Sequence, residues 1–148
     1  MKLATVFGIL LAGWLSNTCP AAVRTGLDNV AAHAHLFQGQ RLGIIANHTS
    51  FTSAGKYVVD VFRALEGVRV VALFSPEHGL RGTEEAGEKI ANNTDPVTGL
   101  PVYSLYGGTN KPTPQMLADV DMLVFDIQDV GARFYTYLYT MSFLNRDL

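Results

Sequence analysis

Cysteine is nearly absent from this 148-residue sequence, with Cys19 the only one. A disulfide framework is therefore excluded, and stability must come from a packed core, which the 48% hydrophobic content of a one-domain chain can supply. There is no surplus of positive charge either. A formal charge of −2 and a pI near 6.0 give no footprint for nucleic acid, which leaves a small-molecule or carbohydrate partner by elimination. No G-x-G-x-x-G follows an apolar run, and "YGGTNKP" (106–112) lacks the Gly-Lys-Ser/Thr ending of a phosphate loop. A G-x-S-x-G elbow and a close His-x-x-x-His pair are also missing, as are internal repeats, low-complexity tracts and domain linkers.

One apolar run stands apart at the N-terminus. Lys2 precedes Leu3 to Leu15, which is short for a bilayer span but suits the core of an export signal, and the small residues Ala21 and Ala22 follow. Residues 1–21 read as a signal peptide, with an uncleaved anchor helix as the alternative, and cleavage after Ala21 would leave a mature chain without cysteine. Ser16-Asn17-Thr18 is not the Leu-small-small run that precedes a lipidated cysteine, so a lipoprotein through Cys19 is not expected. The expected location is the periplasm or the extracellular space, with no stable membrane span after cleavage.

Beyond residue 22 the pattern alternates. Apolar runs at 41–47, 68–75, 101–107 and 121–128 read as strands. Helices are expected over 53–67, capped by Ser53 and stopped by Gly67, over 113–120 behind Thr113 and Pro114, and from 131 to 148 with Phe134, Tyr137, Leu138, Met141 and Leu144 along one side. Strands that are apolar on both faces and alternate with helices predict an α/β fold, a Rossmann-like parallel sheet with helices on both faces. The connection over 77–100 is long enough to be functional.

Ligands of open parallel sheets bind outside the carboxyl ends of the strands. The residues delivered there are Asn47, His48 and Thr49, then Glu77 and His78, then Gly107 and Gly108, then Asp126, Gln128 and Asp129. Singly each has a plain structural reading: Asn47 as a turn cap, His78 bonded to a carbonyl, Asp129 as a helix cap. Together they converge on one edge, and carboxyls dominate it: Glu77, Glu84, Glu85, Glu88, Asp126 and Asp129. Glycoside hydrolysis needs two such groups flanking the scissile bond. A metal held by His48, His78 and Asp126 is the competing arrangement, though its ligands are dispersed.

The stretches "FSPEHGLRG", "AGEKI", "DPVTGLPVYSLYG" and "PTPQMLADVDMLVFDIQDVGARFYTY" closely resemble the bacterial exo-β-N-acetylmuramidase family, long catalogued as domain of unknown function 1343. The resemblance runs from about Gly26 to Thr140. It implies release of N-acetylmuramic acid from the non-reducing ends of peptidoglycan fragments, by a Rossmann-like domain joined to a second domain, with no cofactor. It points to Glu77, His78, Glu88 and Asp126 as catalytic, and to Gln128, Asp129, Arg133 and Tyr135 beside them. Glu77 is expected to be the general acid, because desolvation at the end of an apolar strand raises a carboxyl pKa, and Glu88 or Asp126 the second carboxylate. Asn47, Gln128 and Arg133 would bind sugar hydroxyls, the acetamido group or the lactyl carboxylate, although Arg133 reads equally as an ion-pair partner of Asp129. Family members run to several hundred residues, so residues 22–148 are expected to be a truncated N-terminal part of the catalytic domain, inactive without the family's second domain, with a four-stranded sheet and an unpaired edge. The alternatives are a noncatalytic muropeptide-binding remnant and a metal-dependent hydrolase.

Overall fold

The computed structural model describes residues 23–77, 79–82, 93–132 and 135–144. The export-signal segment with Cys19, and His78, Glu84, Glu85, Glu88 and Arg133, lie outside them. The described elements are α1 (Gly26–Asn29) with a 3-10 helix (Val30–Leu36), β1 (Arg41–Ala46), α2 (Val58–Arg63), β2 (Arg69–Ser75), β3 (Asn93–Thr94), β4 (Pro101–Ser104), β5 (Met122–Asp126) and α3 (Tyr137–Leu144). No described helix is long and apolar enough to cross a membrane.

The sheet order is β3-β4-β2-β1-β5, and every pairing is parallel except β3 on β4. The α/β expectation therefore holds. The expected four strands become five, because Asn93 and Thr94 in the long connection pair with Val102 and Pro101. Two polar residues carry no periodicity that could announce such a strand.

Period-two alternation sorts the strand residues onto two layers. Leu42, Ile44 and Ala46 of β1 pack with Leu27, Val30, Val58 and Phe62, so α1, the 3-10 helix and α2 cover one face. Ile45, Ala72 and Phe74 pack with Leu105, Met116, Leu117 and Leu144 on the other, beneath the 113–120 segment and α3. Gly43 sits where the layers leave no room: a Cβ there would lie 2.8 Å from both Leu123 Cδ2 and Phe74 Cε2.

Three helices differ from expectation. The 53–67 helix starts only at Val58, because Gly55 takes a left-handed φ of +75° and Phe51 bridges to Tyr57 across a tight turn. Ser53 does not cap it; its N–H and Oγ donate to Asp28 Oδ1 at 2.8 and 2.9 Å. Gly67, at φ +74°, lies past the helix's end as expected. The 113–120 segment is a run of turns. Thr113 Oγ1 accepts from Met116 N at 3.3 Å as a cap would, but only one i to i+4 backbone bond follows. Within α3 the buried stripe is Tyr137, Thr140 and Leu144, whereas Leu138 is 63% exposed and Met141 is also exposed.

The edge of the sheet where the parallel strands begin is held by charge. Arg41 Nε and Nη2 donate to the two carboxylate oxygens of Asp121 at 3.0 and 2.8 Å, and Nη1 pairs with Asp119 at 3.0 Å, so the starts of β1 and β5 are clamped in register. Asp121 is held down to about 2, first by the Arg41 side chain and then by the Arg41 backbone N–H. Thr25 and Asp28 form a reciprocal capping box on α1, and the Asp28 carboxyl is also held at about 2 by the backbone N–H groups of Thr25 and Ser53.

Candidate active site

With β4, β2, β1 and β5 side by side in that order, the chain reverses direction across the sheet between β1 and β5, the place where open α/β sheets form a crevice. Residues 47–50 connect the two strand ends. Asn47 Oδ1 accepts from Thr49 N at 2.8 Å and from Thr49 Oγ1 at 2.7 Å. Thr49 Oγ1 in turn accepts from Gln128 N at 2.9 Å, and Ser50 Oγ donates to the Asp126 carbonyl. Asn47 is wholly closed to solvent, so the residue expected to touch sugar works inside its own loop.

Glu77 stands two residues past β2, half-buried, at the mouth of a cavity of about 270 Å³ lined by Leu105, Tyr106, Asn110, Thr136, Tyr139 and Phe143. Thr136 Oγ1 donates to Glu77 Oε2 at 3.3 Å, and the Tyr106 phenol lies near the same carboxylate and lines the same cavity. The negative charge beside it raises the Tyr106 pKa, and burial adds to the effect. Tyr137, the first residue of α3, is buried directly after Thr136. Burial raises its pKa; Asn47 favours its phenolate and opposes the shift, while Glu77, Tyr135 and Asp129 add to it. Glu77, Asn47, Asp129, Tyr135 and Tyr137 therefore share one neighbourhood. Asp129 and Gln128 are exposed there, with Asp129 Oδ1 accepting from Gly131 N at 2.6 Å, and the Tyr135 ring lies 6.0 Å from that of Tyr137.

Asp126 is placed differently. Strand alternation puts it with Met122 and Val124 on the α2 face, and it lines a separate cavity of about 230 Å³ with Leu27, Val30, Phe37 and Phe62. Its Oδ2 is buried without a partner among the described residues, and desolvation raises its pKa. The structure thus sets Asp126 in a different cavity from the one that Glu77 lines.

A third polar group ties Arg81 to the turn at 95–98. Asp95, 3% exposed, accepts from Arg81 Nη2 at 3.0 Å and from Thr98 N and Oγ1 at 3.0 and 2.6 Å; burial alone would raise its pKa, but these bonds lower it. The Arg81 guanidinium lies 5.5 Å from the centre of the Tyr57 ring, and the Tyr57 hydroxyl donates to the Leu80 carbonyl at 3.1 Å. Burial pushes Tyr57 up to about 12. His48 packs over Gly82, whose left-handed φ and lack of a Cβ make room for the imidazole. Among the described residues no group of three or more His, Cys, Asp or Glu side chains could hold a metal ion.

Sequence reasoning missed Tyr106, Asn110, Thr136 and Tyr139. β4 ends at Ser104, not 107, so the side chain delivered at its exit is Tyr106 instead of the two glycines behind it. Thr136 was hidden inside the expected 131–148 helix, which begins only at Tyr137.

Comparison with known proteins bears on this geometry. Residues 42–147 match the family model "Exo-beta-N-acetylmuramidase NamZ, N-terminal". The chain is 48% identical over 122 residues to the peptidoglycan beta-N-acetylmuramidase NamZ of Bacillus subtilis (strain 168), a match covering 82% of this chain and 30% of that protein. The crystal structure of a DUF1343 family protein from Bacteroides fragilis NCTC 9343 superposes with a TM-score of 0.71 at 43% identity, over 80% of this chain and 29% of that one. A second such protein from the same strain superposes at 0.62 with 36% identity and the same coverage. The chain spans about 30% of the length of these relatives.

Proposed function

Because the chain belongs to the NamZ exo-β-N-acetylmuramidase family through that family's N-terminal part, we propose that it provides the Rossmann-like portion of a peptidoglycan glycosidase. The reaction is removal of N-acetylmuramic acid from non-reducing ends of peptidoglycan fragments. The observation that carries this reading is Glu77, set at the exit of β2 and facing a cavity on the side of the crevice where Asn47, Asp129 and Tyr137 gather. In the proposed mechanism Glu77 protonates the leaving-group oxygen, and Glu88 or Asp126 is the second carboxylate. Burial, which raises its pKa, also suits Asp126 to carrying a proton, so the two carboxyls compete for the acid role. Gln128, Asp129 and Tyr135, exposed beyond β5, and Arg133 would contact the sugar, while Asn47 holds the 47–50 loop beneath them. Residues 1–21 would direct export; a fusion to a reporter active only outside the cytoplasm tests this, and retention of the fusion inside would refute it.

The test of the reaction is release of N-acetylmuramic acid from muropeptides by the chain, and its loss in Glu77→Gln. A nitrophenyl glycoside, whose leaving group needs little protonation, should recover much of the lost rate if Glu77 is the acid. Equal loss on both substrates would assign Glu77 to another role and move the acid to Asp126. A muropeptide-binding role without turnover draws support from the chain's 30% coverage of its relatives. Saturable muropeptide binding with no released sugar would establish that reading instead.

A further inference from the structure

A third cavity, of about 800 Å³, runs along α2, and Glu77 takes no part in it. Small-molecule sites fall in the range of roughly 300–1,000 Å³. Tyr57, Val61 and Leu65 recur at helical spacing along one wall, while Phe51, Lys56, Asp60 and Arg81 add an aromatic ring, two cations and a carboxylate. The Phe51 ring is 41% exposed although it packs 5.0 Å from the Tyr57 ring. The turn that carries these groups is tied at three points: Val58 N donates to the Ser50 carbonyl at 2.9 Å, Thr52 N to the Lys56 carbonyl at 2.9 Å, and Lys56 N to Thr52 Oγ1 at 3.0 Å. Its backbone is therefore set before any ligand arrives. Arg81 is fixed as well, with Nη2 donating to Asp95 at 3.0 Å and the guanidinium over the Tyr57 ring, yet its side chain stays 44% exposed. Lys56 has no ion pair among the described residues.

We propose that this cavity is a second sugar site, which takes an acidic hexosamine of the glycan beyond the sugar being released; the choice of sugar rests on the glycosidase reading given above. Peptidoglycan carries a lactyl carboxylate on every second sugar of its glycan, so a fragment whose terminal sugar is held at Glu77 brings another carboxylate further along. Lys56 and Arg81 supply the opposite charge. Phe51 offers its open ring to the apolar face of a pyranose, and Asp60 can accept from sugar hydroxyls. An uncharged sugar would leave Lys56 with nothing to pair with. Arg81 stands four residues after Glu77, and four residues of chain reach no further than about 14 Å, so the two sites lie within the span of a short glycan. The Tyr57 hydroxyl, donating to the Leu80 carbonyl at 3.1 Å, joins the wall of this cavity to the stretch that leaves Glu77.

The experiment titrates the full chain with free N-acetylmuramic acid and with N-acetylglucosamine, two sugars that differ only in the lactyl ether, and follows the backbone amides by NMR. The acidic sugar should shift Gly55, Lys56, Tyr57 and Arg81 and bind more tightly than the neutral one. Lys56→Gln, a change at an exposed side chain that leaves the core alone, should weaken the acidic sugar at these amides roughly tenfold, the scale of one charge-assisted hydrogen bond, and leave the neutral sugar as it was. Phe51→Ala should weaken both. Equal binding of the two sugars by the wild type, or an unchanged affinity for the acidic one in Lys56→Gln, would overturn the proposal. Shifts confined to Thr136 and its neighbours would put the acidic sugar at Glu77 alone, which rejects this second site and leaves the glycosidase reading standing. If the wild type releases no sugar yet shows the Lys56-dependent shifts, the glycosidase reading fails and the second site holds. In the hydrolysis assay Lys56→Gln should raise KM for a tetrasaccharide and leave that for the disaccharide unaltered; the same rise on both would assign Lys56 to the reaction site and reject the second one.

Discussion

The two ends of the sheet treat their carboxyls in opposite ways. Where the parallel strands begin, Asp121 receives a two-pronged Arg41 and a backbone N–H and is pulled down to about 2. Where the strands end, Asp126 is half-buried, one of its carboxylate oxygens has no partner among the described residues, and desolvation pushes its pKa upward. A buried polar group without a partner costs stability, so one end of the sheet contributes to the fold and the other detracts from it. That asymmetry is what a preorganised site requires, because groups already satisfied by the protein have nothing to offer a ligand.

The largest expected effect breaks the comparison on the side of chemistry. Glu77→Gln should lower hydrolysis by roughly 10²- to 10⁴-fold, the usual contribution of a positioned acid or base, while its urea-unfolding midpoint stays close to that of the wild type. A matching loss of stability would mean that Glu77 belongs to the fold. Gly43→Ala supplies the contrast, because it lies midway along β1 between the two ends. Its new methyl would press on Leu123 and Phe74 at 2.8 Å, and overpacking of this kind destabilises by about 1–3 kcal/mol. Urea unfolding should show that loss, and an unchanged midpoint would show that the two layers can part without cost.

How much of this was legible in the sequence follows from which physical signals act locally. The apolar runs in β1 and β2 are buried on both faces, a pattern with no other economical reading, so the parallel sheet could be inferred directly. The separation of Asp126 from Glu77 was also readable, since alternation along β5 puts Asp126 on the side of Val124. The capping box was there in Thr25 and Asp28 at their three-residue spacing. The rest depended on tertiary context. Segment 113–120 has the cap and the proline of a helix, but Asp121 just beyond it is fixed by Arg41 from β1, so the chain turns into β5 without completing regular turns. Tyr106 became visible only once β4 proved to end at Ser104.

Acid tests the satisfied carboxyls, Asp121 at the strand-start end and Asp28 in the capping box of α1. Asp28 and Asp121 have folded pKa values near 2, below the ordinary 3.8, so their contribution is complete above about pH 4 and is lost as pH falls from there through about 2. Unfolding midpoints measured between pH 2 and 5 should fall with acid, and Asp28→Asn and Asp121→Asn should each flatten that fall. An unaltered slope in both variants would show that these bonds do not survive in solution. The effect is expected to be smaller than that of Gly43→Ala, because both carboxyls stay close to water.

The smallest effect should have the opposite sign. Burial raises the folded pKa of Asp126, so the folded protein holds this proton more tightly than the unfolded chain does. At low pH, where both states are protonated, Asp126 makes no difference. As pH rises through 3.8 the unfolded chain ionises freely while the folded one resists, and stability declines until the raised folded value is passed, after which the deficit stays constant. Asp126→Asn keeps the shape of the side chain and removes the charge. Near neutral pH it should therefore unfold at slightly higher urea than the wild type, with the gain vanishing below about pH 3. A gain in stability accompanied by loss of hydrolysis would mark Asp126 as a group kept at the strand ends for chemistry at the expense of the fold. A loss of stability at neutral pH would instead mean that the carboxylate has an ionic partner, and the contrast between the two ends of the sheet would no longer hold.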